Sequence, residues 1–126
     1  MRLFTILIFT ITSAAAQTER EYQEAICTGM GIEVQAGGGT RIDCLSDSHA
    51  IEVDFSDKWA EGLGQAMLYA ARTGLTPGVI LICRRSAWAC QRHGKRLIEA
   101  AAYWQIPLAV WQCPANVTRL SDCSYE

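Results

Sequence analysis

The sequence has few histidines and lacks the closely spaced cysteine pairs from which zinc sites are usually built. It has only two histidines, His49 and His93, and no pair of cysteines in a C-x-x-C arrangement. Both features argue against a structural zinc site, whose ligands usually come from such clusters. Six cysteines are present, an even number that favours disulfides in an exported chain.

The chain also has no apolar run of the roughly 20 residues that cross a membrane. Its N-terminal apolar run covers residues 3–11, follows Arg2 and ends in small residues up to Ala16. This pattern predicts a secretory signal peptide over residues 1–16. We therefore expect a secreted or periplasmic protein, with no membrane association after cleavage, whose mature chain (residues 17–126) forms a single domain. The oligomeric state is left open.

Acidic residues are absent between Gly62 and Ile98, where the only charged side chains are six basic ones. By contrast, residues 17–61 carry ten acids against three bases. An acidic half that binds metal beside a basic half that binds phosphate is typical of a nuclease. The alternative is that mixed charge merely keeps a small exported domain in solution.

The glycine-rich segment at residues 36–40 lacks the lysine and the following helix of a phosphate-binding loop, so we interpret it as a hairpin connection. Hydrophobic periodicity predicts the other elements. The helices are expected at residues 18–30, 58–72 (with Asp57 as N-cap and an end at Thr73–Gly74) and 88–105, and the strands at 32–35, 41–45, 50–55, 79–83 and 106–113. The order αβββαβαβ predicts an α/β domain with a mixed β-sheet flanked by helices.

The third strand and the following helix carry the polar residues of most interest. Ile51, Val53 and Phe55 alternate with Glu52 and Asp54, which places both carboxylates on one side of the strand. We expect that side to face a cleft. The polar stripe of the helix consists of Lys58, Glu61, Gln65, Tyr69 and Arg72, and the opposing apolar stripe of Trp59, Leu63, Ala66, Met67 and Ala70.

Like-charged carboxylates held close together are stable only with a proton or a cation between them. Two or three acids beside a lysine therefore favour a divalent-metal site. For any single residue, an ordinary solvated surface is the alternative.

Residues 24–111 resemble the PD-(D/E)XK nuclease superfamily, in the variant with a RecB-like Q-x-x-x-Y signature at Gln65 and Tyr69. Asp43 matches the motif aspartate, Glu52 matches the acid of the E-x-K element, and Glu33 matches an upstream acid. The motif lysine is replaced by Asp54. Lys58, four residues further on, resembles a relocated lysine, a variation that the superfamily tolerates. The restriction-endonuclease-like core has the same element order as the one predicted here.

The resemblance implies an exported nuclease that hydrolyses DNA phosphodiester bonds with one or two Mg²⁺ or Mn²⁺ ions. The implied metal ligands are Asp43 and Glu52, with Glu33 and Asp54 as further candidates, and Lys58 is the implied catalytic lysine. Gln65, Tyr69 and Arg72 are expected to position the substrate. Because Asp54 replaces the motif lysine, a catalytically inactive binding or scaffold module with the nuclease fold is the alternative.

Six cysteines allow 15 disulfide pairings, and the sequence alone does not choose among them. Our prediction is Cys27–Cys44, Cys83–Cys90 and Cys113–Cys123. We also expect Trp88, Trp104 and Trp111 to pack in the core or to shield disulfides, and not to stack on bases.

Overall fold

The computed structural model describes residues 16–126, and these residues form the predicted mixed α/β domain. The predicted signal peptide lies outside the described residues, apart from Ala16. The strands are β1 (Gly31–Gln35), β2 (Arg41–Leu45), β3 (His49–Phe55), β4 (Thr76–Cys83), β5 (Ala109–Pro114) and β6 (Ser124–Tyr125). The helices are α1 (Glu19–Ile26), α2 (Trp59–Thr73) and α3 (Ala87–Tyr103), with short 3₁₀ turns at Ser56–Lys58 and Leu120–Asp122.

The six strands form one sheet in chain order, from β1 at one edge to β6 at the other. Strands β1, β2 and β3 are antiparallel neighbours, as hairpin-type connections require. Strands β3, β4 and β5 are parallel, and helices α2 and α3 are the crossovers between them. The two-residue strand β6 pairs antiparallel with β5 and was not predicted.

Each face of the sheet is covered by helices, and each has its own apolar core. On one side α1 and the C-terminal segment cover a cluster that includes Ile51, Val53 and Phe55. On the other side α2 and α3 cover a second cluster, formed by Ala66, Val79, Leu81, Leu97 and Val110. The predicted alternation of β3 is therefore confirmed for its apolar residues, and its polar residues face α2.

The packing of helix α2 differs from the prediction. The residues it buries are Gly62, Ala66 and Tyr69, whereas Met67 is 43% exposed. Gly62 lets the helix approach the sheet closely, since a Cβ there would lie 3.4 Å from Val79 Cγ1. Tyr69 thus belongs to the buried stripe, because it follows Gly62 and Ala66 by two and one helical turns.

The two ends of α2 show one wrong and one correct prediction. Asp57 is not the N-cap: it lies in the 3₁₀ turn, and its carboxylate is 3.4 Å from Arg84 Nη2. Lys58 is the cap residue and makes no side-chain capping hydrogen bond. The C-terminal end is as expected, with Gly74 in the left-handed conformation (φ 73°) that favours glycine.

Two of the three tryptophan predictions are wrong. Trp88 is 67% exposed and Trp104 is 74% exposed, while Trp111 packs against the core on the α1 side. The reason is the orientation of α3, which buries Cys90, Gly94, Leu97 and Ala101. Trp88 projects from the opposite side of this helix, and Trp104 follows its last turn.

All three predicted disulfides are confirmed: Cys27–Cys44, Cys83–Cys90 and Cys113–Cys123. No free cysteine remains among residues 16–126. Such bridges are typical of proteins that fold in an oxidising compartment. Across the same range, the structure contains no helix with the length and apolar character needed to span a membrane.

The Cys27–Cys44 bridge should contribute most to stability, because it closes the longest loop and both residues are fully buried. Replacing both cysteines by alanine should lower the free energy of unfolding by about 3 kcal/mol, measured by urea denaturation. Thiol titration of the unfolded, unreduced wild type should detect no reactive cysteine. Two or more reactive thiols would contradict the disulfide assignment.

Candidate functional site

The site begins where strands β2 and β3 separate. Their paired positions are Cys44 with Ile51 and Leu45 with Ala50. Asp43 precedes Cys44 in β2, and here the side chain replaces the main chain as the hydrogen-bond acceptor. Its Oδ2 accepts a hydrogen bond of 2.9 Å from the Val53 amide. The carboxylate thus occupies the place of a main-chain acceptor in the ladder, and this brings Asp43 beside Glu52.

Gln23 of α1 stabilises the place where β2 and β3 separate at Asp43 and Val53, which we call the fork. Its side-chain Nε2 donates to the Asp43 main-chain oxygen at 2.8 Å and is 3.3 Å from Glu33 Oε1. Gln23 is only 4% exposed, so these bonds are shielded from water. Gln23 was not among the predicted site residues. Its signal is a polar side chain on the helix face that carries Tyr22 and Ile26.

Glu52 is the most unusual acid of the site. It is 4% exposed, and its Oε2 has no hydrogen-bond partner among the described residues. Burial raises the pKa of Glu52 to about 9, and the negative charge of Asp43 adds to this rise. The pKa of Asp43 is also raised, chiefly by burial, although a hydrogen bond from Glu52 opposes the rise. Glu52 therefore holds a proton at neutral pH, beside the Asp43 carboxyl group.

Gln65 and Tyr69, the residues of the Q-x-x-x-Y signature, lie next to this pair. The Tyr69 hydroxyl is 3.3 Å from Gln65 Oε1, and its hydrogen bonding to Glu52 lowers the pKa of that acid against the larger effect of burial. Burial, reinforced by Glu52, raises the pKa of Tyr69. Tyr69 is therefore a neutral hydroxyl between the buried acid and the half-buried amide.

Asp54 and Lys58 form a separate group at the end of β3. Asp54 is 2% exposed and its Oδ1 accepts a hydrogen bond from the Phe55 amide. Burial raises the pKa of Asp54 to about 7; Glu19 adds to the rise, and Lys58 opposes it. Lys58 Nζ is 2.8 Å from Glu19 Oε1 and 3.9 Å from Asp54 Oδ1. The prediction that Glu52 and Asp54 face a cleft is wrong, because both side chains are buried beneath α2.

The remaining predicted site residues lie outside both groups. Glu33, which has a positive φ of 54°, is within 3.9 Å of Arg20 and 3.5 Å of Arg41. Arg72 lies against the glycine turn between β1 and β2, where its guanidinium is 3.0 Å from the position of a Cβ on Gly38. The structure therefore brings together Asp43, Glu52, Gln65 and Tyr69.

The Asp43–Glu52 pair suits a single hard cation. Mg²⁺ often binds through one or two carboxylates and keeps several waters. The unpartnered Oε2 of Glu52 is a free oxygen ligand of the required type. Within residues 16–126, no third acid, histidine or cysteine joins the pair to make a larger metal-binding group. Two carboxyl groups alone could hold no more than one such ion.

Comparisons with protein-family models, with curated proteins and with solved structures find no match to this chain.

The raised pKa of Glu52 predicts a pH-dependent stability. Between about pH 4.5 and pH 9 the folded state holds a proton on Glu52 that the unfolded chain releases. The free energy of unfolding should therefore fall as pH rises, at roughly 1 kcal/mol per pH unit above pH 7, where Asp54 no longer contributes.

The variant Glu52→Gln should lose this slope, and urea denaturation in EDTA at several pH values measures it. The exposed Glu99→Gln is the matched control and should keep the wild-type slope. Equal slopes in wild type and Glu52→Gln would show that Glu52 ionises normally.

Proposed function

We propose that the chain is an exported nuclease that hydrolyses DNA phosphodiester bonds at the Asp43–Glu52 pair with one bound Mg²⁺ or Mn²⁺. The observation that carries the proposal is the fork of β2 and β3. It places a second carboxylate beside a buried one that has an unpartnered oxygen. A fold needs no such pair for stability, since burying like charges together is unfavourable.

A second line of support is the agreement between the motif order and the geometry. The resemblance to PD-(D/E)XK nucleases selects Asp43, Glu52, Gln65 and Tyr69, which lie in one cluster, and also Glu33 and Lys58, which lie outside it. The cluster sits at the junction of an antiparallel meander and a parallel crossover. Export is supported by the N-terminal apolar run and by the three disulfides.

The roles of the residues follow from their positions. Asp43 and Glu52 would hold the ion, and Gln65 with Tyr69 would orient the Glu52 carboxyl group. The bound cation would supply positive charge that activates water and offsets charge on the phosphorane. Lys58 would contact a phosphate oxygen, because its exposed ammonium already lies near the acidic face of β3. Arg72, at the glycine turn between β1 and β2, would bind a phosphate further along the DNA strand.

The alternative is a binding or scaffold module that has the nuclease fold without catalysis. The arrangement of Lys58 favours it, because the ammonium is held by Glu19 and Asp54 and not by the Asp43–Glu52 pair. The burial of Glu52 beneath α2 favours it as well. Under this alternative the carboxyl pair keeps its proton and binds no ion.

Oxidised protein should degrade plasmid or oligonucleotide DNA with Mg²⁺ or Mn²⁺ and lose this activity in EDTA. Asp43→Asn and Glu52→Gln should abolish cleavage and weaken Mg²⁺ binding, measured by calorimetry. Lys58→Ala should keep Mg²⁺ binding but slow cleavage by about 10²-fold, because it removes charge that acts on the transition state.

Glu99→Gln serves as the control, since it removes one exposed acid from α3 and should leave both readings unchanged. No metal-dependent cleavage by the wild type would overturn the proposal in favour of the binding module. Cleavage by Lys58→Ala at the wild-type rate would remove Lys58 from the mechanism and leave the metal site untouched.

A further inference from the structure

The basic residues of the protein divide into two groups by their partners. Of the ten lysines and arginines in residues 16–126, five lie within 4.0 Å of a carboxylate: Arg20, Arg41, Lys58, Arg84 and Arg119. The other five form no ion pair with a carboxylate of residues 16–126. They are Arg72, Arg85, Arg92, Lys95 and Arg96. Four of these five fall within residues 85–96, at the start of α3.

An exposed aromatic ring lies within this basic segment. Trp88 is 67% exposed, and the Arg92 guanidinium carbon is 4.5 Å from its ring centroid. Trp88, Gln91, Arg92 and Lys95 follow each other at helical spacing and line a recess of about 150 Å³. We call these four residues the α3 face. The nearest acid on this helix is Glu99, one turn beyond Lys95.

The recess is too small to enclose a typical small-molecule ligand, which occupies about 300–1,000 Å³. It has room for one unit of a longer chain. An indole ring and a guanidinium both stack on nucleobases, and Gln91 offers hydrogen-bond donors and acceptors for a base edge. Lys95 and Arg96, with Arg85 just before the helix begins, supply positive charge along α3 for phosphates.

We propose that the α3 face is a docking surface for single-stranded nucleic acid, with a base stacked at Trp88 and the phosphates along Arg85, Arg92, Lys95 and Arg96. Stacking on a side chain requires an unpaired base, so a single strand fits better than a duplex. An anionic membrane surface fits less well, because an interfacial helix needs a broad continuous apolar face, whereas the exposed aromatic rings at the two ends of this helix, Trp88 and Tyr103, are separated by Arg92, Lys95 and Arg96.

The inference deepens the proposed function and rests on it only where it names the strandedness of the substrate. Binding at the α3 face needs neither a metal ion nor the Asp43–Glu52 pair. The wild type should therefore bind a single strand in EDTA, where no divalent ion is present for cleavage. A wild type that binds the single strand in EDTA but does not cleave DNA with Mg²⁺ would contradict only the catalytic proposal. A wild type that cleaves DNA but does not bind the single strand at the α3 face would contradict only this one.

The test is fluorescence anisotropy of a labelled oligothymidine with the oxidised chain in EDTA, at several salt concentrations. Trp88→Ala should weaken binding about 10-fold or more, as expected for one lost stacking contact. Arg92→Ala and Lys95→Ala should each lower the dependence of log K on log salt by about 0.7, one phosphate contact. A duplex of the same length should bind more weakly than the single strand.

Trp104→Ala is the matched control, because Trp104 is equally exposed and lies at the other end of α3. It should bind like the wild type, and circular dichroism checks that both tryptophan variants are folded. Equal losses in Trp88→Ala and Trp104→Ala would overturn the proposal. Tighter binding of duplex, dextran sulfate or anionic vesicles than of oligothymidine would overturn it too.

Discussion

Strand β3 carries Glu52 and Asp54 on the face that α2 covers, so folding removes two carboxyl groups from water. An ionised carboxylate in such a place is strongly unfavourable without a proton, a cation or hydrogen bonds. Asp54 obtains a main-chain amide and a nearby lysine. Glu52 lies beside the Tyr69 hydroxyl and holds a proton next to Asp43, and within residues 16–126 its Oε2 has no hydrogen-bond partner. The close packing of α2 at Gly62 maintains this burial.

The stability that offsets this unfavourable burial comes from the opposite side of the sheet. There Ile51, Val53 and Phe55 pack with α1 and the C-terminal segment, and two disulfides lie in the same cluster. One face of β3 is therefore apolar and lies in the cluster that contains two disulfides, and the other face is polar. A small domain buries a limited fraction of its surface, so the bridges add stability to the two apolar cores that flank the sheet.

Much of the fold was predictable from local patterns, because alternation, caps and turns depend on neighbours in the chain. The Ile51–Val53–Phe55 alternation and the Gly74 cap are of this kind. The wrong predictions concern rotation and tertiary contacts. Tyr69 was assigned to the polar stripe because periodicity does not show which face a mixed helix turns to the sheet, and Trp88 was placed in the core for the same reason. Gln23 was missed because its partner is the main chain of β2, which no side-chain pattern records.

We propose that the Asp43–Glu52 pair exchanges the proton on Glu52 for a divalent cation, which would couple the pH dependence of the pair to metal binding. The most direct test is carbon-13 NMR of the labelled Glu52 carboxyl group, assigned through Glu52→Gln and titrated with and without Mg²⁺. Without metal we expect a midpoint near pH 9, and Mg²⁺ should move it to lower pH because ion and proton compete for the same oxygens. A midpoint near the ordinary value of 4.5, or one that Mg²⁺ leaves unchanged, would contradict the account.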